Sequence, residues 1–171
     1  MLDSTMAVSS QTSVAAQAAW LDEALTKTAA SWKFVMFHHP VYASRRKRDN
    51  LPLQKHWVPI FDKHQVDIVF QGHDHTYIRT HSLKANRRIG PTEQGTFYVV
   101  SVSGDKFYDQ EPRQDYAVAR TKLPTYQVID IDAESGRLSY RSLAESGEKV
   151  DSFEITKSPS SSRVMQFAKG K

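Results

Sequence analysis

Lys33-Phe34-Val35-Met36-Phe37-His38-His39-Pro40 and Val66-Asp67-Ile68-Val69-Phe70-Gln71-Gly72-His73-Asp74-His75 decide the fold when read together. Each opens on a short apolar run rich in β-branched and aromatic residues, the length and content of a buried strand. The first run ends before Pro40, which has no N–H for a sheet ladder. The second ends at Gln71-Gly72. Between them, residues 41–53 read as a loop, and about 54–65 read as a helix with Trp57, Ile60, Phe61 and His64 on one face. Strand, helix, strand in this order is a βαβ unit, which predicts parallel neighbouring strands joined by a right-handed crossover.

Outward from that unit, Val14, Ala18, Leu21, Leu25 and Thr28 recur at steps of four and three, which predicts a helix over about 11–29 capped by Ser9 or Ser10. On the other side the pattern turns to β. Thr96-Phe97-Tyr98-Val99-Val100 reads as a strand. Residues 126–131 and 138–143 flank the turn Asp132-Ala133-Glu134-Ser135-Gly136 as a hairpin, and 150–155 read as a last strand. Residues 104–124 read as a long polar loop. The expected fold class is therefore α/β, bordering on α+β, with one domain over 1–157 and a disordered basic tail over 158–171.

Composition narrows the class. The chain has 171 residues, 39% hydrophobic and 25% charged, which suits a packed core. No apolar run is long enough for a transmembrane helix, so no membrane partner is expected, and the start has no signal-peptide pattern. With no cysteine, disulfides, thiolate metal sites and cysteine nucleophiles are excluded. The net charge of +4 comes largely from Arg45, Arg46, Lys47 and Arg48 and from the tail. Such a loop attracts phosphate-bearing ligands; nucleic acid is the least favoured of them.

Chemistry concentrates at the ends of the two parallel strands. His38 closes the first; His73 and His75 follow the second. Open α/β sheets place their ligands outside such strand ends. Residues two apart in an extended chain face the same way, so His73 and His75 are expected on one side, with Gly72 allowing close approach. Any one of these histidines alone reads as a hydrogen-bonded core or loop residue. Three at one sheet edge read as ligands for a metal, since neutral imidazole suits zinc, iron, copper or nickel. His39 is expected to point away from His38, His64 to be a satisfied boundary residue, and His81 to have no motif behind it.

The segments Phe34 to Tyr42 and Val66 to Arg79 closely resemble the C-terminal part of calcineurin-like metallophosphoesterases, nearest to the purple acid phosphatase-like branch. The HxP element at 38–40, the GHxH element at 72–75 and the trailing Tyr77 and Arg79 match in order and spacing. Leu2-Asp3-Ser4, Gln17-Ala18-Ala19-Trp20-Leu21 and residues 95–103 are also similar to family segments. The resemblance implies a β-sandwich flanked by helices and a two-metal site of iron, zinc or manganese. It also implies hydrolysis of a phosphate-ester small molecule by a metal-activated hydroxide. His38, His73 and His75 would be metal ligands. His39, Tyr42, Asp74, Tyr77 and Arg79 would stand behind them or face substrate, with Asp74 ordering the local loop.

The family's upstream motifs, DxH, GDxx(D/Y) and GNH(D/E), have no counterpart among the 37 residues before HxP. Asp62-Lys63-His64 and Gly104-Asp105-Lys106-Phe107-Tyr108 spell two of them, one inside a helix and one in the wrong order. The expectation is thus the C-terminal half of such a domain, truncated, with an incomplete dinuclear site, no firm catalytic residue and at most one bound metal. It would have an exposed sheet edge open to self-association. The alternative is a catalytically inactive metal-binding or interaction module made from the same half-fold. The resemblance suggests an extracytoplasmic parent protein.

Overall fold

The two apolar runs form strands lying side by side. A computed structural model describes residues 1–157 and the backbone of 163–167. In it β1 (Phe34–Met36) pairs parallel with β2 (Ile68–Gln71), in the register Phe34 to Ile68. Next along the chain come β3 (Tyr77–Thr80), the hairpin of β4 (Leu83–Lys84) and β5 (Arg87–Arg88), β6 (Phe97–Val100) and β7 (Tyr116–Arg120). The first sheet has five strands in the order β1-β2-β6-β3-β7; β2 and β6 are parallel, and β3 is antiparallel to both β6 and β7. A second, antiparallel sheet holds β8 (Thr125–Asp132), β9 (Arg137–Ala144), β10 (Lys149–Lys157) and β11 (Arg163–Phe167) in the order β11-β10-β9-β8.

The central strands are apolar on both faces because both faces are covered. Side chains alternate along a strand, so successive residues enter different cores. Val69 and Tyr98 pack on the helix side with Val14, Leu21, Trp57 and Phe61, whereas Ile68, Phe97 and Val99 pack against Leu138, Tyr140, Phe153 and Ile155 of the second sheet. The result is three layers, helices on sheet on sheet, a mixed α/β architecture of the flanked-sandwich kind.

The helices are α1 (Ser4–Ser9), α2 (Gln11–Thr26), α3 (Leu51–His56) and α4 (Val58–His64). Ser10 caps α2 by accepting from the Ser13 N–H, and Asp3 caps α1 by accepting from the Met6 N–H. The apolar stripe faces the core at Val14 and Leu21, but α2 ends before Thr28. The single helix expected over 54–65 is two short ones that start within the expected loop. Pro52 and Pro59 each sit in a first turn, where the missing N–H costs nothing. Pro59 cannot continue α3, so the chain bends at Trp57, whose indole is fully buried and donates to the Val14 carbonyl at 3.4 Å.

Two stretches differ from their expected form. Residues 104–124 are not wholly irregular: β7 lies within them and covers β3. The polar β3, Tyr-Ile-Arg-Thr, is a strand because ladders on both sides bury it. In the expected tail, Arg163–Phe167 pairs with β10; residues 158–162 and 168–171 lie outside the described residues. Among the described residues β1 pairs on one side only, leaving Met36 74% exposed, and no helix is long and apolar enough to cross a membrane.

Candidate functional site

β1 and β2 both end at the same edge of the sheet, and the ladder continues one step past them. The Phe37 N–H donates to the Phe70 carbonyl at 3.2 Å, and the Gly72 N–H donates to the His38 carbonyl at 2.9 Å. This stitching brings His38 and His73 together. His38 Nε2 and His73 Nδ1 stand 3.1 Å apart, with ring planes at 85°. Two imidazole nitrogens bound to one zinc ion at about 2.0–2.1 Å stand about 3.0–3.4 Å apart at ordinary angles, so this pair fits as two ligands of one ion.

His75 is placed elsewhere. Its Nδ1 lies 3.1 Å from the Lys106 carbonyl, and its ring stacks on Tyr108 at 4.8 Å. The alternation expected for residues 73–75 fails because the backbone there is not extended. His73 and His75 have φ of 65° and 45°, both left-handed, so the two rings take directions that strand geometry does not relate. Gly72 needs no such freedom, since a Cβ there would meet His38 Nδ1 at an ordinary 3.6 Å.

His39 moves the other way. Its ring lies 5.0 Å from His38 and 4.4 Å from His73, so it faces the cluster instead of pointing away. The strand stops at Met36, and past it the chain bends. Ser4 of α1 fixes His39 at both ends: its Oγ accepts from the His39 N–H at 2.9 Å and lies 3.1 Å from Nδ1. Burial holds His39 and His73 below the ordinary imidazole range. Neighbouring His73 and His38 push His39 further down, while Asp74 partly restores His73. Both rings are thereby kept neutral near pH 7, the form in which imidazole can ligate.

Asp74 is fully buried between its two histidines and bonds away from them. Its carboxylate accepts from the Ser44 N–H and lies 3.3 Å from Arg48 Nη2. Residues 46–48 form a 3-10 turn beside it, so the basic stretch is anchored, not free. A second anchor is the loop after β6. The Arg46 N–H donates to Glu111 at 3.2 Å, and Arg45 pairs with Asp109 at 3.6 Å.

Tyr42, Tyr77 and Arg79 do not face this cluster. Tyr42 is buried and donates to Asn86 Oδ1 at 2.8 Å. Tyr77 and Arg79 share the face of β3 that meets the second sheet. Tyr77 donates to Asp151 Oδ2 at 2.7 Å, and Arg79 holds the same carboxylate through Nε at 2.6 Å and Nη2 at 3.0 Å. Burial pushes the Tyr42 and Tyr77 phenols far up. Tyr77 and Arg79 are turned inward by the alternation of β3, and Tyr42 is held in the helix-side core by the loop after β1. His81 lies past the far end of β3, and His64 contacts Asp22 at 2.6 Å as a boundary residue. Lys106 and Tyr108 were missed. Their only sequence signal is the literal GDxxY of 104–108, which the expected order of motifs discounted.

Among the described residues no three His, Asp or Glu side chains form a group able to hold a metal ion. His38 and His73 thus supply two converging nitrogens, not a complete ligand set. A cleft of about 490 Å³ opens beside His38 along the β1 edge, walled by Met36, Phe70, Gln127 and Ile129.

Residues 2–77 match the Calcineurin-like phosphoesterase family model. Purple acid phosphatase 3 of Arabidopsis thaliana is 35% identical over 66 residues, 39% of this chain and 18% of the relative. An uncharacterised protein of Mycobacterium tuberculosis is 34% identical over 55 residues, 31% of this chain and 10% of the relative. Among solved structures, purple acid phosphatase PPD1 from yellow lupin superposes with a TM-score of 0.63 at 20% identity, covering 82% of this chain and 28% of that one. GAP50, the anchor in the inner membrane complex of Plasmodium, superposes at 0.57 with 14% identity, covering 94% and 44%. The chain therefore spans less than a fifth of the curated relatives it matches, and the structural likenesses speak for the fold. The HxP and GHxH loops whose histidines meet here lie inside the matched segment, so the likeness to the calcineurin-like phosphoesterase family is a likeness of residues 2–77, less than half of the chain.

Proposed function

We propose that this chain contributes to metal-dependent hydrolysis of phosphate esters, with His38 and His73 as nitrogen ligands to one divalent or trivalent ion. The contact of His38 Nε2 with His73 Nδ1 at 3.1 Å carries the reading, because it joins the two family motifs at one point. A bound ion supplies positive charge to phosphoryl oxygens. The chain's own residues do the rest of what is visible: burial keeps the His39 and His73 rings neutral, Ser4 orients His39, and Asp74 fixes the loop that carries His73. His39, 4.4 Å from His73 and half-buried, is the residue placed to hydrogen-bond a phosphate oxygen beside the ion. Carboxylates to complete and neutralise the site would have to come from residues outside this cluster. The expectation is one ion per chain or none.

Zinc or manganese titration calorimetry on the 171-residue chain tests the reading, together with turnover of p-nitrophenyl phosphate. The expected result is one ion bound, with affinity lost in both His38→Ala and His73→Ala. Equal affinity in both variants would remove the basis of the reading. A second reading is a non-catalytic binding module. It is favoured by the cluster itself, where no third His, Asp or Glu joins His38 and His73 in a metal-holding group among the described residues. Metal uptake without turnover would select it.

A further inference from the structure

Three loops meet over Asp74, and the basic one among them has work left over. Asp74 is fully buried, and one of its oxygens is satisfied by the Ser44 N–H. The other makes no hydrogen bond; what faces it is Arg48 Nη2, at 3.3 Å. A buried carboxylate is tolerated when a cation compensates it, so Asp74 holds the Arg48 guanidinium in place. That guanidinium remains 41% exposed and stands 5.6 Å from the centre of the Tyr108 ring. Lys106 stands 5.3 Å from the centre of the same ring, and His75 stacks on it at 4.8 Å. Tyr108 in turn is tied to the histidine loop by its N–H, which donates to the His75 carbonyl at 3.2 Å. Arg48 is also near enough to His73 for its charge to depress that imidazole. Of the carboxylates on the facing loop, Asp109 is engaged by Arg45 at 3.6 Å and Glu111 by the Arg46 N–H at 3.2 Å.

We propose that Arg48, positioned by Asp74 and assisted by Lys106 on the Tyr108 ring, is an oxyanion-binding residue beside His73, selecting a dianionic phosphate monoester over a monoanionic diester. This deepens the phosphoesterase reading above and rests on it. A guanidinium offers five N–H donors in a planar fork, so the contact with Asp74 leaves donors for two phosphoryl oxygens. Two cations around one aromatic ring favour two negative charges on the ligand over one.

The test is binding of inorganic phosphate at pH 8 to the metal-free chain in chelator, by calorimetry, with circular dichroism to confirm folding. Phosphate is expected to bind, and Arg48→Ala to weaken it at least tenfold. Asp74→Asn, which keeps an oxygen for Ser44 but loses the charge that holds Arg48, is expected to weaken it several-fold. Arg87→Ala, on the exposed β5, is expected to leave it unchanged. Dimethyl phosphate, a monoanion, is expected to bind at least tenfold more weakly than phosphate. No binding at millimolar phosphate by the folded chain, or equal binding by Arg48→Ala, overturns the proposal, and equal affinity for the two anions overturns its selectivity. The two readings fail separately. Arg48-dependent phosphate binding with no metal uptake sinks the metal reading alone, and His73-dependent turnover indifferent to Arg48→Ala sinks this one alone.

Discussion

His73-Asp74-His75 and Tyr77-Ile78-Arg79 are neighbours in one motif, yet they lead opposite structural lives. The first triplet bends through two left-handed residues at the end of β2 and presents its rings to an open surface. The second is a strand with every residue buried, and its two polar side chains are spent on Asp151. The difference lies in what surrounds each. Ladders on both sides of β3 enforce alternation and drive Tyr77 and Arg79 into the inter-sheet core. Beyond Gly72 no ladder constrains the turn, and contacts with single loops decide each ring. Proximity in sequence to a candidate ligand histidine is therefore poor grounds for assigning a substrate role.

That contrast predicts a graded set of effects. The largest is expected for Asp151→Ala, which strips the carboxylate from a buried guanidinium and phenol and should cost about 3–5 kcal/mol. A denaturant melt should show it, with metal binding by the remaining folded chain unchanged. A loss under ~1 kcal/mol would mean the core network is not what separates the two triplets. Asp74→Ala comes next. It leaves the buried Ser44 N–H without its acceptor, at about 1–3 kcal/mol, and should weaken phosphate binding together with stability. His73→Ala sits on the surface side of the comparison. Its stability change should stay within about 0.5–1 kcal/mol while zinc affinity is abolished.

The smallest effect concerns pH. Burial lowers the imidazoles of His39, His73 and His81, so in each the folded chain binds fewer protons than the unfolded chain just below pH 6.5. Stability should fall as pH drops from about 6.5 towards the folded values, and be level above it. Melting temperatures between pH 7.5 and 5.5 measure this. His81→Asn, away from the cluster, should shallow the slope without touching metal binding, and an unchanged slope would assign the effect to His39 and His73.

Much of the fold was legible beforehand because its signals are local. The β1–helix–β2 unit shows in two apolar runs of strand length, and the β8–β9 hairpin in alternation around the turn at 132–136. β3 and β7 escaped because their burial comes from each other and not from composition. α1 escaped because six residues capped by Asp3 carry too little periodicity. At the site, the placement of His38 and His73 at one sheet edge followed from parallel pairing, whereas His75 and His39 exchanged expected places.

By itself the chain's order of residues determined the parallel pair, the family likeness of residues 2–77 and the edge at which imidazoles collect, since each is written in periodicity or in a short contiguous motif. Tertiary structure decided which rings meet and which polar residues vanish into the core. The reason is range and handedness: Asp151 reaches back 74 residues to Tyr77, Lys106 reaches back 31 to His75, and left-handed turns at His73 and His75 break the alternation from which a reader would otherwise count.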